Sequence, residues 1–345
     1  MEKVRWAVLG SGGIAKRRTI PEGIIPSQNA ELVAVYDINE KANEAVAAEF
    51  GVIAAKSIEE LLLADVQAVY IATPANSHCK QVVECAKAKK HILCEKPLGM
   101  TIKETQKMVE VCKKAKVQLG TAFMMRFHSQ HKKALEMIQT GLIGKPVYAR
   151  AQLSCWYPPI KGAWRQDPKQ GGGGSLMDMG GHCIDLLEMF FGPVKSVSCF
   201  VRSSVHKYKS EDSAVAMLQF KNGAIGTVDT FFCIPDNSSK NILELYGSNG
   251  SILAKGTIGQ GGAGEMIAYL EGQAKGYQAQ QARADDNGIK INPVPENTYK
   301  AEIEEFSSAI LENRKAANNF AIGLQSQKVL HACYLSAKTG KTINL

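Results

Sequence analysis

The sequence predicts an α/β chain in two parts: a doubly wound parallel sheet first, then an α+β part with a large, mainly antiparallel open sheet. Three observations predict it. Short runs that are apolar on both faces alternate with helical stretches through residues 1–120. A glycine-rich turn follows the first of those runs. Beyond Phe123 the rhythm changes to longer strand-like runs, joined by turns such as Lys221-Asn222-Gly223 and Gly247-Ser248-Asn249-Gly250.

In the first part, strands are expected at residues 4–9, 32–36, 68–72, 92–94 and 117–119. Helices are expected at 40–50, 58–63, 77–88 and 102–116. This βαβ order puts a ligand beyond the carboxyl ends of the strands, at the loops after Leu9, Ala72 and Cys94. In the second part a helix is expected at about 128–140, ended by Gly141 and Gly144. Strands follow at 147–156, 194–201, 214–220, 224–232, 242–246 and 251–254, interrupted by a helix at 181–191. Two closing helices are expected at 298–313 and 321–337. Alternation through 213–220 leaves one sheet face for water or a partner subunit.

Composition narrows the class. A chain of 345 residues is long for one core, which favours two domains, and 45% hydrophobic with 21% charged residues is ordinary for a globular protein. No apolar run approaches 18 residues, so no membrane span is expected. The chain enters a strand at once, with no signal-peptide pattern. Nine scattered cysteines, an odd number without a C-x-x-C pair, argue against a disulfide framework or a zinc ribbon. A cytoplasmic home is therefore expected. The net charge of +8 includes Lys87, Lys89, Lys90, Lys113, Lys114 and Lys116 near helix ends, where cations suit the dipole. With no interleaved aromatic pattern, no nucleic-acid partner is expected. The stretch 259–264 reads as a flexible loop, since it lacks the Lys-Ser/Thr of a phosphate loop.

The loop Gly10-Ser11-Gly12-Gly13-Ile14-Ala15 carries the first chemistry. Gly10 permits a tight turn, Gly12 keeps side chains away from a pyrophosphate, and Ala15 lets the next helix pack close to the strand. The N–H groups at that helix start favour phosphate charge. Asp37, followed by Ile38, closes the second strand, 22 residues after Ala15. A carboxylate there accepts ribose hydroxyls and repels a 2′-phosphate, so NAD is expected over NADP.

Two further constellations stand out. Glu95-Lys96-Pro97 follows a strand of the first part, where Glu95 can hold the ammonium and Lys96 can donate to a substrate oxygen; a strand-end ion pair is the plainer alternative. The run from Gly171 to Asp185 sets Asp178 and His182 four apart and Asp185 three further on, which puts all three on one face if the helix begins early enough. A histidine beside a carboxylate accepts a proton near neutral pH. The alternatives are a capping aspartate with a core histidine, or a metal site, for which no further clear ligand is present. The four glycines 171–174 allow the backbone to approach a ligand or the other domain closely.

Together these elements resemble the Gfo/Idh/MocA oxidoreductase family, which includes glucose–fructose oxidoreductase and inositol dehydrogenase. The resemblance spans essentially the whole chain. It rests on the Gly10 loop, Thr73-Pro74 with His78, the run from Lys90 to Leu98, Arg126-Phe127, Trp164-Arg165, the Gly171–Asp185 run and Tyr299. It implies a Rossmann domain over 1–124 and a substrate and oligomerisation domain over 125–345. It also implies NAD(P)-dependent hydride transfer at a carbinol of a sugar, cyclitol or related polyol. By motif, Lys96 binds and polarises the reacting oxygen, His182 takes or returns its proton, and Asp178 orients substrate or His182. Thr73, Pro74, Asn76, His78, Glu95, Arg126, Trp164 and Arg165 join the cofactor contacts. Arg126 also reaches substrate, and Tyr299 lines the same cavity. Many relatives carry Asn directly after Thr-Pro, where this chain has Ala75 and then Asn76. A homo-oligomer, dimer or tetramer, through the second sheet is a further implication. Some relatives use NAD transiently to cleave a glycosidic bond. A nucleotide sensor without catalysis is another outcome of this fold, and intact Lys96, Asp178 and His182 count against it.

Overall fold

The computed structural model describes residues 2–271 and 288–345. Its first sheet has six parallel strands: β1 (Val4–Leu9), β2 (Ala30–Tyr36), β3 (Ile53–Ala54), β4 (Ala68–Ile71), β5 (His91–Glu95) and β6 (Leu119–Ala122), in the order β3-β2-β1-β4-β5-β6. β1 pairs with β2 on one side and β4 on the other, so the winding reverses there and opens a crevice at the carboxyl ends. The connections are α1 (Glu40–Phe50), α2 (Ile58–Leu63), α3 (Ala75–Lys87) and α4 (Ile102–Ala115). Asn39 and Thr101 cap α1 and α4 by accepting the N–H of Ala42 and Glu104, contacts worth about 1 kcal/mol each. The helix after the glycine loop, Ala15–Ile24, is π-helical and holds Pro21, which cannot complete an α-helical ladder.

The last strand of this sheet, expected at 117–119, runs instead from Leu119 to Ala122. Lys116 takes a left-handed conformation at the end of α4, and the Val117 N–H still bonds back to Cys112 O. The helix cap thus consumes the first residues of the apolar run. β3 was not expected; two residues carry no readable period.

The second sheet has nine strands: β7 (Pro146–Ser154), β8 (Val194–Arg202), β9 (Ser213–Phe220), β10 (Ile225–Phe231), β11 (Ile242–Gly247), β12 (Gly250–Lys255), β13 (Glu265–Leu270), β14 (Ile289–Lys290) and β15 (Ile343–Asn344). The order is β14-β13-β12-β11-β7-β10-β9-β8-β15. β7 and β10 run parallel, while the remaining pairs are antiparallel. β13, just after the 259–264 loop, was not among the expected strands, and residues 272–287 beyond it lie outside the described residues. β14 and β15 are two-residue edge strands that the sequence did not suggest.

The helices of this part are α5 (Ser129–Gln139), the single turn α6 (Pro168–Gly171), α7 (Gly181–Phe191), α8 (Thr298–Leu311) and α9 (Phe320–Thr339). Leu186, Leu187 and Phe190 of α7 and Val329 and Leu330 of α9 share one core with Ala216, Leu218 and Phe220 of β9. Each large apolar side chain buried there contributes about 1.5–3 kcal/mol. The opposite sheet face is open, with Phe200, Met217 and Ile225 exposed. Helix α8 returns to the first sheet, where Trp6 Nε1 donates to Ser307 Oγ at 3.0 Å and the Trp6 and Phe306 rings lie 5.7 Å apart. Among the described residues, no helix is long and apolar enough to cross a membrane.

Candidate active site

A cavity of about 330 Å³ opens beyond the carboxyl ends of the first sheet. Ile14, Thr73, Glu95 and Lys96 line it from the parallel sheet, and Trp164, Arg165, Asp178 and His182 from the second part. Tyr299, at the start of α8, also reaches it, as expected of its position.

Lys96, at the end of β5, projects across to the run before α7. Its Nζ donates to Asp178 Oδ1 at 2.6 Å and to the Asp178 main-chain oxygen at 2.9 Å. Arg165 Nε donates to the same Oδ1 at 2.9 Å, and its guanidinium lies 4.2 Å over the Trp164 ring. Burial alone would raise the Asp178 carboxyl, but Arg165 and Lys96 outweigh it and hold the group well below the usual carboxylate range. Asp178 is therefore a fixed anion that aims the ammonium. Glu95, expected to hold that ammonium, does not. Its Oε1 accepts from Tyr70 Oη at 2.7 Å and its Oε2 from the Lys96 backbone N–H at 3.2 Å.

His182 packs edge-on to Phe123, with ring centroids 5.8 Å apart, and its buried Nδ1 has no hydrogen-bond partner among the described residues. Burial and then the Lys96 charge push its pKa well below the ordinary value, although Asp178 pulls the other way. Asp178 favours the imidazolium, as expected of a carboxylate, but burial and the Lys96 charge outweigh it. His182 is a neutral imidazole at pH 7.

The run 176–180 before α7 is a π-helical turn, not part of a uniform α-helix. Asp178 and His182 both reach the cavity, but Asp185 does not share their face. It is buried, accepts Arg126 Nε at 2.9 and 2.8 Å, and lines a separate pocket with Arg126, Glu188 and Gln325. Arg126, expected beside nicotinamide or substrate, is thus not among the residues lining the Lys96 cavity. Burial raises the Asp185 carboxyl in spite of Arg126.

The other expected residues of the first part divide between the cavity wall, the buried interior and the surface. His78 is fully buried, with Nδ1 and Nε2 each 2.9 Å from a carbonyl, Pro97 O and Thr73 O. It ties the loop after β4 to the loop after β5. Thr73 lines the cavity and donates to Gln81 Oε1 at 2.5 Å, Pro74 precedes α3, and Asn76 is exposed on its first turn. The four glycines approach other protein groups closely. A Cβ at Gly173 would meet Tyr334 Oη and one at Gly174 would meet Glu211 O, each at 1.9 Å. Met124, Met125, Ser154, Cys155, Asp236, Asn241 and Gln260 also line the cavity, and the sequence had not singled them out. Their strand-end and loop positions carry no motif; Gln260 belongs to the stretch expected to be a flexible loop.

A second cavity, of about 310 Å³, lies past the end of β2, bounded by Asp37, Ile38, Glu40, Asn43, Glu44 and Lys56 among others. The residues here fit a dinucleotide. Gly10 has φ +82°, and a Cβ on it would lie 2.9 Å from Ala72 C, so glycine is required. Gly13 has φ +51° and faces open space. Asp37 accepts the Gly12 N–H at 3.0 Å and the Asn39 N–H at 2.9 Å, which aims its carboxylate at the loop. Ser11 Oγ donates to Asn43 Oδ1 at 3.3 Å, tying the loop to α1.

Comparison with known proteins agrees with this geometry. Residues 4–123 match the oxidoreductase family with an NAD-binding Rossmann fold, and residues 131–253 match the GFO/IDH/MocA C-terminal domain. The chain is 28% identical to 1,5-anhydro-D-fructose reductase of Ensifer adhaerens over 99% of this chain and 98% of that protein. It is 33% identical to myo-inositol 2-dehydrogenase of Thermotoga maritima over 73% of this chain and 75% of that protein. The structure of levoglucosan dehydrogenase in complex with NADH and levoglucosan shares the fold, with a TM-score of 0.86 at 22% identity over 99% of each chain.

Proposed function

Since the chain belongs to the Gfo/Idh/MocA family of oxidoreductases, we propose that it transfers a hydride between NAD and a secondary alcohol of a sugar, cyclitol or related polyol. The observation that carries this reading is the meeting of Lys96 Nζ and His182 in one cavity beside the glycine loop. An ammonium has three protons to donate, and Asp178 takes two, leaving one for a carbinol oxygen. That charge stabilises a developing alkoxide. His182, neutral at pH 7, accepts the hydroxyl proton. The nicotinamide, when bound, supplies the hydride acceptor. Ile14, Thr73 and Trp164 would border that ring, and Gly10, Ser11, Gly12 and Gly13 would hold the pyrophosphate. Asp37, with Glu40 and Glu44 near it, favours NAD: three carboxylates around the ribose repel a 2′-phosphate. We read residues 1–124 as the cofactor domain and 125–345 as the substrate domain, associating with a second copy through the open sheet face.

The test is a panel of myo-inositol, D-glucose, D-xylose and levoglucosan with NAD and then NADP, followed by reduced-nicotinamide absorbance. The expected result is stoichiometric NADH, with NAD preferred at least about tenfold. Preference for NADP would overturn the reading of Asp37. Glycoside cleavage without net NADH would replace net oxidation with NAD-assisted hydrolysis.

A further inference from the structure

The segment that leaves β10 arches over the end of β7 before entering β11. Strand β7 finishes there with alternating backbone donors. The N–H groups of Cys155 and Tyr157 bond back toward β10, to Phe231 O and Phe232 O. Those of Ser154 and Trp156 face the arch. Ser154 N–H donates to Asn241 Oδ1 at 3.0 Å, and Trp156 N–H donates to Asp236 Oδ1 at 3.2 Å. Ser239 Oγ adds a second hydrogen bond to Asn241 Oδ1 at 2.9 Å. Both residues line the cavity that holds Lys96 and His182, and among the described residues neither forms a hydrogen bond or ion pair with Lys96, Asp178 or Arg165.

These bonds fix what each side chain has left. With Oδ1 occupied twice, the Asn241 amide is oriented, and its Nδ2 has no partner among the described residues. With Oδ1 of Asp236 on Trp156, its other oxygen is free, and Asp236 forms no ion pair among the described residues. Asn241 is held at φ +47°, a left-handed conformation that asparagine tolerates better than most residues. Strain of this kind persists where the surroundings over-determine it.

The geometry points to a diol clamp. The free Asp236 oxygen accepts from one substrate hydroxyl while Asn241 Nδ2 donates to its vicinal neighbour, away from the carbinol that reacts at Lys96. This inference rests on the polyol reading of the cavity and narrows it. The substrate carries a second vicinal diol and is neutral where it meets Asp236, so a sugar acid presenting a carboxylate there is excluded. A hydroxyl donates and accepts, so adjacent hydroxyls satisfy one acceptor and one donor together. Such a site disfavours analogues lacking either hydroxyl, since the partly buried Asn241 Nδ2 then loses its acceptor and the exposed Asp236 oxygen falls back on water.

The test exploits the isosteric swaps. Asp236→Asn and Asn241→Asp each keep Oδ1, and with it the bond to β7, but exchange the free acceptor or donor. Binding of myo-inositol, D-glucose, D-xylose and levoglucosan to the NAD-loaded protein is measured by calorimetry, alongside steady-state kinetics. For the best ligand, each single swap is expected to raise Kd and KM by about 10–100-fold and to lower kcat less than about threefold. The double swap Asp236→Asn/Asn241→Asp restores one donor and one acceptor, and should recover at least about tenfold of the lost affinity. Wild-type binding with Kd unchanged in both single swaps overturns the clamp and leaves the polyol reading standing. Absence of binding by the wild type to every ligand of the panel overturns that reading, and the clamp with it.

Discussion

Asp178 and Asp185 lie on one helical run, seven residues apart, and each faces a basic side chain from a distant segment. Their fates differ. Asp178 takes both Lys96 and Arg165 at the wall of a cavity, and two cations hold its carboxyl low in spite of burial. Asp185 takes Arg126 alone, inside the fold, and burial wins over that single cation. The first pair leaves the ammonium one proton beyond its two bonds to Asp178, at the wall of the cavity. The second staples the 3₁₀ turn Met124–Phe127 to α7. Similar residue types thus give a chemical group in one place and a structural rivet in the other, according to cation count and solvent access.

The largest expected effect separates the two. Lys96→Met removes the donor proposed for the reacting oxygen while Arg165 remains to satisfy Asp178. Turnover should fall by about 10³-fold or more, with NAD affinity changed only a few-fold, as read by steady-state kinetics and fluorescence titration. Arg126→Met should register in stability instead. It leaves Asp185, 2% exposed, as an uncompensated buried carboxylate, at a cost of about 3 kcal/mol in denaturant unfolding. If Arg126→Met destroyed turnover without loss of stability, the contrast between the pairs would collapse.

Much of the first sheet was legible because its strands are apolar on both faces and its helices carry local caps. The bounds expected for α1 and α2 coincide with those observed. β6 slid because a left-handed Lys116 prolonged the helix cap, a choice of backbone that Val117 does not advertise. In the site, the meeting of Lys96, Asp178 and His182 was legible through the family's motifs, since position alone left Lys96 open to a strand-end ion pair. The role of Arg126 was not, since its partner lies 59 residues away and a π-helical turn changes the face on which Asp185 emerges. Asp236 and Asn241 were invisible for a related reason. The end of β7, far off in sequence, orients both side chains, with Ser239 adding a local bond to Asn241.

Two buried histidines sharpen the comparison further. His131 Nδ1 lies 2.8 Å from Met125 O and Nε2 3.1 Å from Thr257 Oγ1, so its neutral form is fully bonded. Burial, and then the neighbouring His128 ring, push its pKa down to about 3 from 6.5. His182 shifts in the same direction but lacks a partner at Nδ1. Between pH 6.5 and about 3 the unfolded chain binds a proton that folded His131 refuses, so stability falls as pH falls through that window. The slope is about 1.4 kcal/mol per pH unit for each such group. His131→Gln should flatten the curve of unfolding free energy against pH by about that much, whatever it does to stability at pH 7. An unchanged slope would mean that His131 titrates normally.

The smallest effect concerns what holds Asp178 in place. Glu211 Oε1 accepts the N–H groups of Gly174 and Leu176 at 2.9 and 3.1 Å and Tyr334 Oη at 2.8 Å, fixing the backbone where the π-helical turn begins. Tyr334→Phe removes one of three donors and leaves the two backbone bonds. The loss should be about 1 kcal/mol in denaturant unfolding. If those two bonds alone set the turn, kcat stays within about twofold, since Asp178 keeps its place between Lys96 and Arg165. A fall in kcat of about tenfold with the same small loss of stability would show that the tyrosine hydroxyl, packed against Gly173, sets the position of the Asp178 carboxylate. The Asp178 site would then depend on a remote support that the Asp185 staple does not need.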